Sequence, residues 1–316
     1  MSRTRRGTSA AFAVLALTLA LPALAAAATK PGVSTGGASE VTITTATLNG
    51  KVNPHGAATT SFFQYGTTPA YGSRTPDAGA GAGTAAVGAS APIAGLGPNT
   101  KYHYRLVASN SAGTTLGGDH TFTTPKQPLG LALAATPNPV AFGAPSTLAG
   151  ALSGTGNAGR PIRLQQKPFP FTGKWSNVGN VQLTNAQGAF SFALLSVPLT
   201  TQYRVLVTDN TSVVSPILTV SVSVVVVTKT TRTHVHRGGH VHFSGTIKPN
   251  VPNVPVAIQK LNAKKHWVTI SGTITRAGGT YSKTIEIKRG GSYRVYAGAG
   301  GTFTPGAGRK VRIHTT

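Results

Sequence analysis

The chain has 316 residues, no cysteine and a formal net charge of +24 at pH 7. The lack of cysteine excludes disulfide cross-links, so each domain must be held together by burial alone. Only five acidic residues are present and they are scattered singly, which disfavours catalysis by paired carboxylates and excludes Asp-rich calcium loops. No Gly-x-Ser-x-Gly nucleophile motif occurs either. We therefore predict a non-enzymatic protein without a cofactor.

The N-terminal residues have the pattern of a secretory signal peptide. Arg3, Arg5 and Arg6 precede an apolar run at residues 10–21, which is too short to span a bilayer, and small residues at 23–28 offer cleavage sites. Arg5-Arg6 is not followed by the apolar residues of a twin-arginine signal, so the general secretory route is favoured. We expect a signal peptide over residues 1–28 and a mature protein that is secreted or associated with the cell wall.

Residues 29–126 have the spacing of short strands and turns. Tyr102, Tyr104, Leu106 and Ala108 alternate with other side chains, which places them on one face of a strand. Earlier strands are predicted at residues 46–54 and 60–68. The pattern predicts a meander of antiparallel strands.

Particular motifs in this segment carry a family resemblance. They are Leu96-x-Pro98-x-Thr100-x-Tyr102-x-Tyr104-Arg105, Asn110-x-x-Gly113 and a last strand that ends in Thr-Phe-Thr-Thr. Together they resemble a fibronectin type III domain over its whole length. The resemblance implies that the hydroxyl of Tyr102 bonds back to the preceding loop. Leu48 stands where that family usually has a tryptophan, and the match indicates a fold rather than an activity.

The remaining two thirds of the chain, residues 127–222 and 223–316, repeat each other. Each copy has strands of about six residues separated by Gly and Asn turns, which predicts a β-sandwich. Both copies resemble bacterial immunoglobulin-like domains of surface and secreted proteins. The tryptophans are ligand platforms or core residues, and their recurrence at one place favours the core. The matched residues are Gln165 with Gln259, Trp175 with Trp267, Phe190 with Tyr281, and Tyr203-Arg204-Val205 with Tyr293-Arg294-Val295.

The joint between the two copies contains no glycine or linker run. Residues 220–227 consist of six valines and two serines, and they are predicted to form one strand. The last strand of one copy then passes directly into the first strand of the next, which favours a stiff tandem.

Positive charge is concentrated in the last third of the chain. Residues 223–316 carry 15 Lys and Arg against Glu286 alone, a formal charge of +14. Such a field predicts attraction to anionic polymers. The competing interpretation is that these side chains serve solubility and block strand pairing at sheet edges. The cations form three groups, Lys260, Lys264 and Lys265, then Arg276, Lys283, Lys288 and Arg289, then Arg309, Lys310 and Arg312. All of them except Lys283 and Arg312 are our predicted polymer contacts.

Four histidines, His234, His236, His240 and His242, lie close together in the sequence. A three-residue loop at 237–239 would pair His236 with His240 and His234 with His242, and it would place Val235, Val241 and Phe243 in the core. Imidazoles opposed in this way can share Zn²⁺, Cu²⁺ or Ni²⁺. The sister copy has the same turn without histidine, and in many immunoglobulin-like sandwiches the stretch before this turn crosses to the other sheet. The pairs would then face away from each other as solvated histidines.

These observations predict an all-β fold of tandem β-sandwiches. The expected division is a signal peptide (1–28), a fibronectin type III-like domain (29–126), an immunoglobulin-like domain (127–222) and a basic immunoglobulin-like domain (223–316). The expected function is a secreted or cell-surface structural or adhesive protein of bacterial type. Its expected partners are anionic wall or matrix polysaccharide, with non-specific extracellular nucleic acid as a second candidate. Alternative functions are metal binding by the four histidines and service as the accessory subunit of an extracellular hydrolase.

Overall fold

Residues 27–298 and 302–316 are described by a computed structural model of the chain. The described residues form tandem β-sandwiches, so the predicted all-β fold class is confirmed. The only helical element among them is a 3₁₀ turn at Ala277–Gly279, and none of their helices is long and apolar enough to cross a membrane. The predicted signal peptide lies outside the described residues, apart from Ala27 and Ala28. The chain divides into two compact units, with the break between Pro125 and Lys126.

The first unit contains a three-stranded sheet, β1-β2-β6, and a second sheet in the order β4-β3-β7-β8, with β5 also pairing with β3 and β9 with β7. The strands are β1 (Gly32–Thr35), β2 (Thr45–Asn53), β3 (Thr59–Gly66), β4 (Ser73–Arg74), β5 (Ala78–Gly81), β6 (Val87–Ala94), β7 (Lys101–Asn110), β8 (Gly113–Leu116) and β9 (His120–Thr123).

The core of the first unit follows the alternation of β7. Tyr104, Leu106 and Ala108 share one face of this strand, as the sequence pattern predicts, and they are buried in one cluster with Leu48 of β2. The hydroxyl of Tyr102 accepts a hydrogen bond of 2.9 Å from the backbone N–H of Gly97. This bond ties the strand to the loop before it, as the fibronectin type III resemblance implies. The first unit is therefore a fibronectin III-like β-sandwich.

The second unit begins with a module that has its own hydrophobic core, here called the second module. One sheet has the order β10-β12-β15, and the other has the order β14-β13-β16-β17, with β18 also pairing with β16. The strands are β10 (Gly130–Thr136), β11 (Val140–Ala141), β12 (Ser146–Ser153), β13 (Pro161–Pro168), β14 (Ser176–Leu183), β15 (Ala189–Leu194), β16 (Thr201–Val207), β17 (Asn210–Val214) and β18 (Leu218–Val220).

The third module follows strand β19 (Val222–Ser223) and has a separate core. Its sheets have the orders β20-β22-β25 and β21-β29-β26-β23-β24, with β28 also pairing with β26. The strands are β20 (Val225–Thr230), β21 (His234–Val235), β22 (His240–Lys248), β23 (Pro255–Leu261), β24 (Trp267–Ile274), β25 (Thr280–Glu286), β26 (Gly291–Ala297), β27 (Phe303–Thr304), β28 (Gly306–Ala307) and β29 (Val311–Thr315).

The joint between these modules is a small parallel sheet. Strand β19 pairs in parallel with β11 of the second module on one side and with β27 of the third on the other. The prediction of one strand over 220–227 is wrong, because the run is divided into β18, β19 and the start of β20, each with different partners. The predicted boundary between residues 222 and 223 falls inside β19, a strand that both modules use.

Candidate functional site

The four clustered histidines do not form the predicted hairpin. Strand β21 pairs in parallel with β29, His234 opposite His314, whereas β22 belongs to the other sheet and pairs with β20 and β25. The hairpin register between 234–236 and 240–242 is therefore wrong, and the alternative, in which the stretch before the turn crosses to the other sheet, is confirmed. The physical reason is that β29 leaves backbone groups at a sheet edge, and the backbone of β21 satisfies them. The accompanying prediction that Val235, Val241 and Phe243 share the core is confirmed.

The crossing places the histidines on two sheets. The rings of His234 and His314 stack with centroids 4.8 Å apart and planes 10° apart. His242 lies on the other sheet, with Nδ1 2.9 Å from Oγ1 of Thr284. Within residues 27–298 and 302–316, no three His, Asp or Glu side chains are close enough to hold a metal ion. The four histidines thus have no common centre, and metal binding by this cluster stays a prediction.

The acidic side chains lie apart from one another. Asp119 accepts hydrogen bonds from His103 (2.8 Å) and from the hydroxyl of Tyr71 (3.1 Å). The bond from His103 is the main cause that lowers the pKa of Asp119. The other contacts of carboxylates are Glu40 with Thr47, Asp77 with Arg74, and Asp209 with Arg160. Among the described residues, no two of these carboxylates share a hydrogen-bond or ion-pair partner.

The two tryptophans lie outside the core, which corrects the prediction that they fill it. Trp175 and Trp267 are only partly buried and belong to neither hydrophobic cluster. The guanidinium carbon of Arg204 lies 4.4 Å from the ring centroid of Trp175, and that of Arg294 lies 4.4 Å from the ring of Trp267. The recurrence of tryptophan reflects this cation–π contact on the outer sheet face.

The same arrangement recurs in all three modules. A glutamine on one strand accepts a hydrogen bond from Nε of an arginine on the neighbouring strand, and the guanidinium of that arginine lies over an aromatic ring. The three sets are Gln64, Arg105 and Tyr71, then Gln165, Arg204 and Trp175, then Gln259, Arg294 and Trp267, with N–O distances of 2.8, 2.9 and 2.8 Å. A shared position with a shared contact indicates a structural role.

A cleft of about 780 Å³ opens in the third module beside β24 and β25, which are the edge strands of its two sheets. Of the eight predicted polymer contacts, the structure brings Lys260, Lys288 and Arg289 together in its lining. The other five lie elsewhere: Lys264 and Lys265 in the turn between β23 and β24, Arg276 before the 3₁₀ turn, and Arg309 and Lys310 ahead of β29.

A fourth cation of the cleft, Arg237, was missed by the sequence analysis, which treated it as a turn residue. The signal was present in the repeat, where Arg237 stands at the position of Phe142. Glu286 also lines the cleft, so four cations face one carboxylate. Burial is the main cause that lowers the pKa of Lys260, and the charge of Arg289 adds to it. Lys260 and Arg289 therefore lie close enough for their positive charges to oppose each other.

Comparisons with known proteins indicate no particular family. No protein-family model matches the chain, and no curated protein matches it. Among solved structures, the chain is similar to the FN1–FN3 domains of chicken CNTN1, with 20% identity, coverage of 91% of this chain and 99% of that chain, and a TM-score of 0.29. It is similar to domains A168–A170 from titin, with 14% identity, coverage of 90% and 99%, and a TM-score of 0.39. For the Yersinia pseudotuberculosis adhesin InvE the identity is 18%, the coverage 58% of each chain and the TM-score 0.26.

Proposed function

We propose that the protein is a secreted or cell-surface component of structural or adhesive type, without enzymatic activity, whose third module docks on anionic wall or matrix polymer. The observation that supports this proposal is the unneutralised charge of that module. Residues 223–316 carry 15 Lys and Arg and a single acidic residue, Glu286. No ion pair forms within the described part of this module, residues 223–298 and 302–316.

The distribution of this charge favours an external polyanion as the partner. Nearly all of the cationic side chains are exposed, so their charge is projected into solvent rather than used inside the fold. The first unit and the second module contain ion pairs, for example Arg74 with Asp77 and Arg160 with Asp209. The second module has the same kind of sandwich with only five Lys and Arg in residues 128–222, so the fold does not require the positive field of the third module.

The architecture of the second unit suits a rigid spacer. Strand β19 is hydrogen-bonded to both modules, and Phe303 packs against both hydrophobic cores. A joint made by a shared sheet and a shared side chain resists bending better than a flexible linker does. The second module would therefore hold the basic third module at a fixed distance and orientation relative to itself.

The experiment is retention of the full chain on purified bacterial cell wall across a salt series. Two variants with the same change in charge are compared, K264Q/K265Q in the third module and K51Q/K101Q in the first, all four positions being exposed. We expect salt to release the protein and the third-module variant to be released at lower salt than the control. Salt-independent retention, or equal behaviour of the two variants, would contradict docking by the third module.

A further inference from the structure

The cleft beside β24 and β25 differs from the rest of the basic surface because its cations converge. Lys260 and Arg289 approach it from two separate elements, β23 and the turn after β25, and Arg237 comes from the crossing between the sheets. Convergent like charges repel, and the single carboxylate of the lining, Glu286, offsets only part of their charge. An anion in the cleft would remove that repulsion.

Lys260 is held at the mouth of the sandwich in a defined position. It follows Val256 and Ile258 on the core-facing side of β23, opposite Tyr293 of β26. Its ammonium donates a hydrogen bond of 2.7 Å to the backbone carbonyl of Arg289 and lies 5.4 Å from the centroid of the Tyr293 ring. One N–H of the ammonium is used in this bond, which leaves two for a ligand.

The turn that carries Lys288 and Arg289 is positioned by the same contacts. The carbonyl of Arg289 also accepts a bond of 2.8 Å from the hydroxyl of Tyr293. Gly291 has φ +148°, and a Cβ there would lie 3.2 Å from Cε of Lys260, so the close passage of the lysine stem favours glycine. Cations on a turn fixed in this way lose little freedom when they bind an anion.

The second module shows that the sandwich does not need these cations. Gln166 stands at the position of Lys260 and pairs with Tyr203 in the register that Lys260 has with Tyr293. Residues 195–200, the counterpart of the turn with Lys288 and Arg289, contain no charged side chain, and Phe142 replaces Arg237. The third module has thus added four cations to a frame that folds with neutral residues at the same positions.

We propose that this cleft is a binding site for the carboxylate or phosphate groups of a sugar chain, with Lys260, Arg289 and Arg237 as the anion contacts. The inference rests on the proposed docking function and assigns it to one site. Guanidinium groups bind carboxylate and phosphate oxygens in pairs, and the lysine adds a point charge between them.

The lining favours a glycan over a nucleic acid. Binding of single-stranded nucleic acid uses aromatic side chains on which bases stack. The one aromatic residue in the lining is Tyr293, which is 2% exposed and lies beneath Lys260. The exposed apolar contact is instead Ile270, the extra residue of a β-bulge in β24, which is 45% exposed. An aliphatic side chain can pack against the C–H face of a sugar but offers a base no stacking surface.

The test measures binding of the full chain to three oligomers of equal charge, namely oligogalacturonate, a glycerol-phosphate oligomer and single-stranded DNA. K260Q/R289Q removes two cations from the cleft, and R309Q/K310Q removes two cations outside it. We expect the cleft variant to weaken binding of an anionic glycan oligomer about tenfold or more, because charge-assisted hydrogen bonds are lost. The control should weaken it about two- to threefold through the general field alone. Equal melting temperatures establish that both variants are folded.

Each outcome decides one question. Selective weakening by K260Q/R289Q supports the cleft, and the carboxylate and phosphate arms show which group it prefers. Equal weakening by the two variants, or none by either, overturns the cleft and leaves docking by diffuse charge intact. Tighter binding of DNA than of both the galacturonate oligomer and the glycerol-phosphate oligomer overturns the choice of ligand. If the unaltered protein were not retained on cell wall at all, the proposed function itself would be overturned.

A second readout reports on the site directly. The pKa of Lys260 is lowered by burial and by Arg289 in the free protein, and a bound anion stabilises the charged ammonium. We expect the pKa of Lys260, followed by NMR, to rise when the preferred oligomer is added. An unchanged titration of Lys260 at saturating oligomer would place the ligand elsewhere.

Discussion

The ring of Phe303 lies edge-on against the ring of Phe142, with centroids 6.1 Å apart and planes at 69°. Phe142 belongs to the second module. Phe303 lies in β27 of the third module, more than a hundred residues later in the sequence. Oγ1 of Thr200 donates to the carbonyl of the neighbouring Thr302, and Val224 donates to the carbonyl of Thr304 over 3.1 Å. Phe303 therefore packs against the separate cores of both immunoglobulin-like modules.

This relationship predicts that Phe303→Ala uncouples the two modules. The change removes a half-buried ring that packs against both cores, and about 2 kcal/mol of stability should be lost. Calorimetry should show the unfolding of the second and third modules separating into two transitions. Phe169→Ala is the matched control, because that ring is 39% exposed and packs against Phe171 within the second module. Equal effects of the two substitutions would mean that Phe303 does not couple the modules.

Gly245 of β22 is predicted to tolerate no side chain. A Cβ at this position would collide with the backbone carbonyl of Val227 in β20 and would lie 2.8 Å from the hydroxyl of Tyr281. That hydroxyl donates a bond of 2.9 Å to the same carbonyl, so the contact cannot open without breaking it. Gly150 of the second module is confined in the same way by the carbonyl of Ala132.

We expect Gly245→Ala to destabilise the third module by about 2 to 3 kcal/mol in urea unfolding, the range of an overpacked site. Gly272→Ala in β24 is the control, since its Cβ would approach no closer than 3.8 Å to the carbonyl of Val256. It should change stability by less than about 0.5 to 1 kcal/mol. A Gly245→Ala protein as stable as the control would contradict the close approach of β20.

The stability of the first unit should depend on pH through Asp119. Its pKa is lowered in the folded protein, chiefly by the hydrogen bond from His103, from an ordinary value of 3.8. A lowered folded pKa contributes stability that is present above the unfolded value and is lost as the pH falls through the folded value. The difference in urea midpoint between the unaltered protein and Asp119→Asn should therefore shrink as the pH falls below about 4.

His103→Gln is the partner variant for this measurement. It should reduce the loss of stability at low pH in the same way. The double variant should differ little from either single variant, because both substitutions remove the same hydrogen bond. The side chain of Asp119 is 40% exposed, so solvent screening keeps the effect small. Additive effects of the two substitutions would show that the bond is not the source of the dependence.

The histidine pairs are expected to act independently of each other toward metal ions. His234 and His236 lie beside β29, whereas His240 and His242 lie on the sheet with β25. In titration calorimetry with Zn²⁺, H234Q/H236Q and H240Q/H242Q should each remove only a weak contribution to binding, and the two losses should be independent of each other. If either double substitution alone abolished a tight Zn²⁺ site, the result would support a single centre formed by all four histidines.

Local alternation predicted the faces of strands well. The spacing predicts one strand face for Tyr104 and Leu106 in the first unit and a core position for Val235, Val241 and Phe243 in the third module, and all five are buried. A strand places successive side chains on opposite faces whatever its partner is, so this property can be read from a short stretch of sequence. The repeat between the second and third modules extended the reading to Gln165 and Gln259, which occupy equivalent places.

Local alternation did not predict which strand pairs with which. The choice of β29 rather than β22 as the partner of His234 depends on residues about 80 positions away. Within 220–227, strand β19 likewise pairs with residues about 80 positions away in both directions along the chain. The recurrence of Trp175 and Trp267 was read as a core signal because the arginine that covers each ring is distant in sequence. A conserved spacing within the repeat shows a shared environment but not whether that environment is inside or outside.

The sequence by itself determined the all-β class, the repeat and the concentration of positive charge, because strand periodicity and composition are local or additive properties. Only the tertiary structure decided that four histidines separate and that Arg237, Lys260, Lys288 and Arg289 meet in one cleft. These outcomes depend on hydrogen bonds between distant edge strands, whose partners are set by closure of the whole sandwich rather than by any single segment.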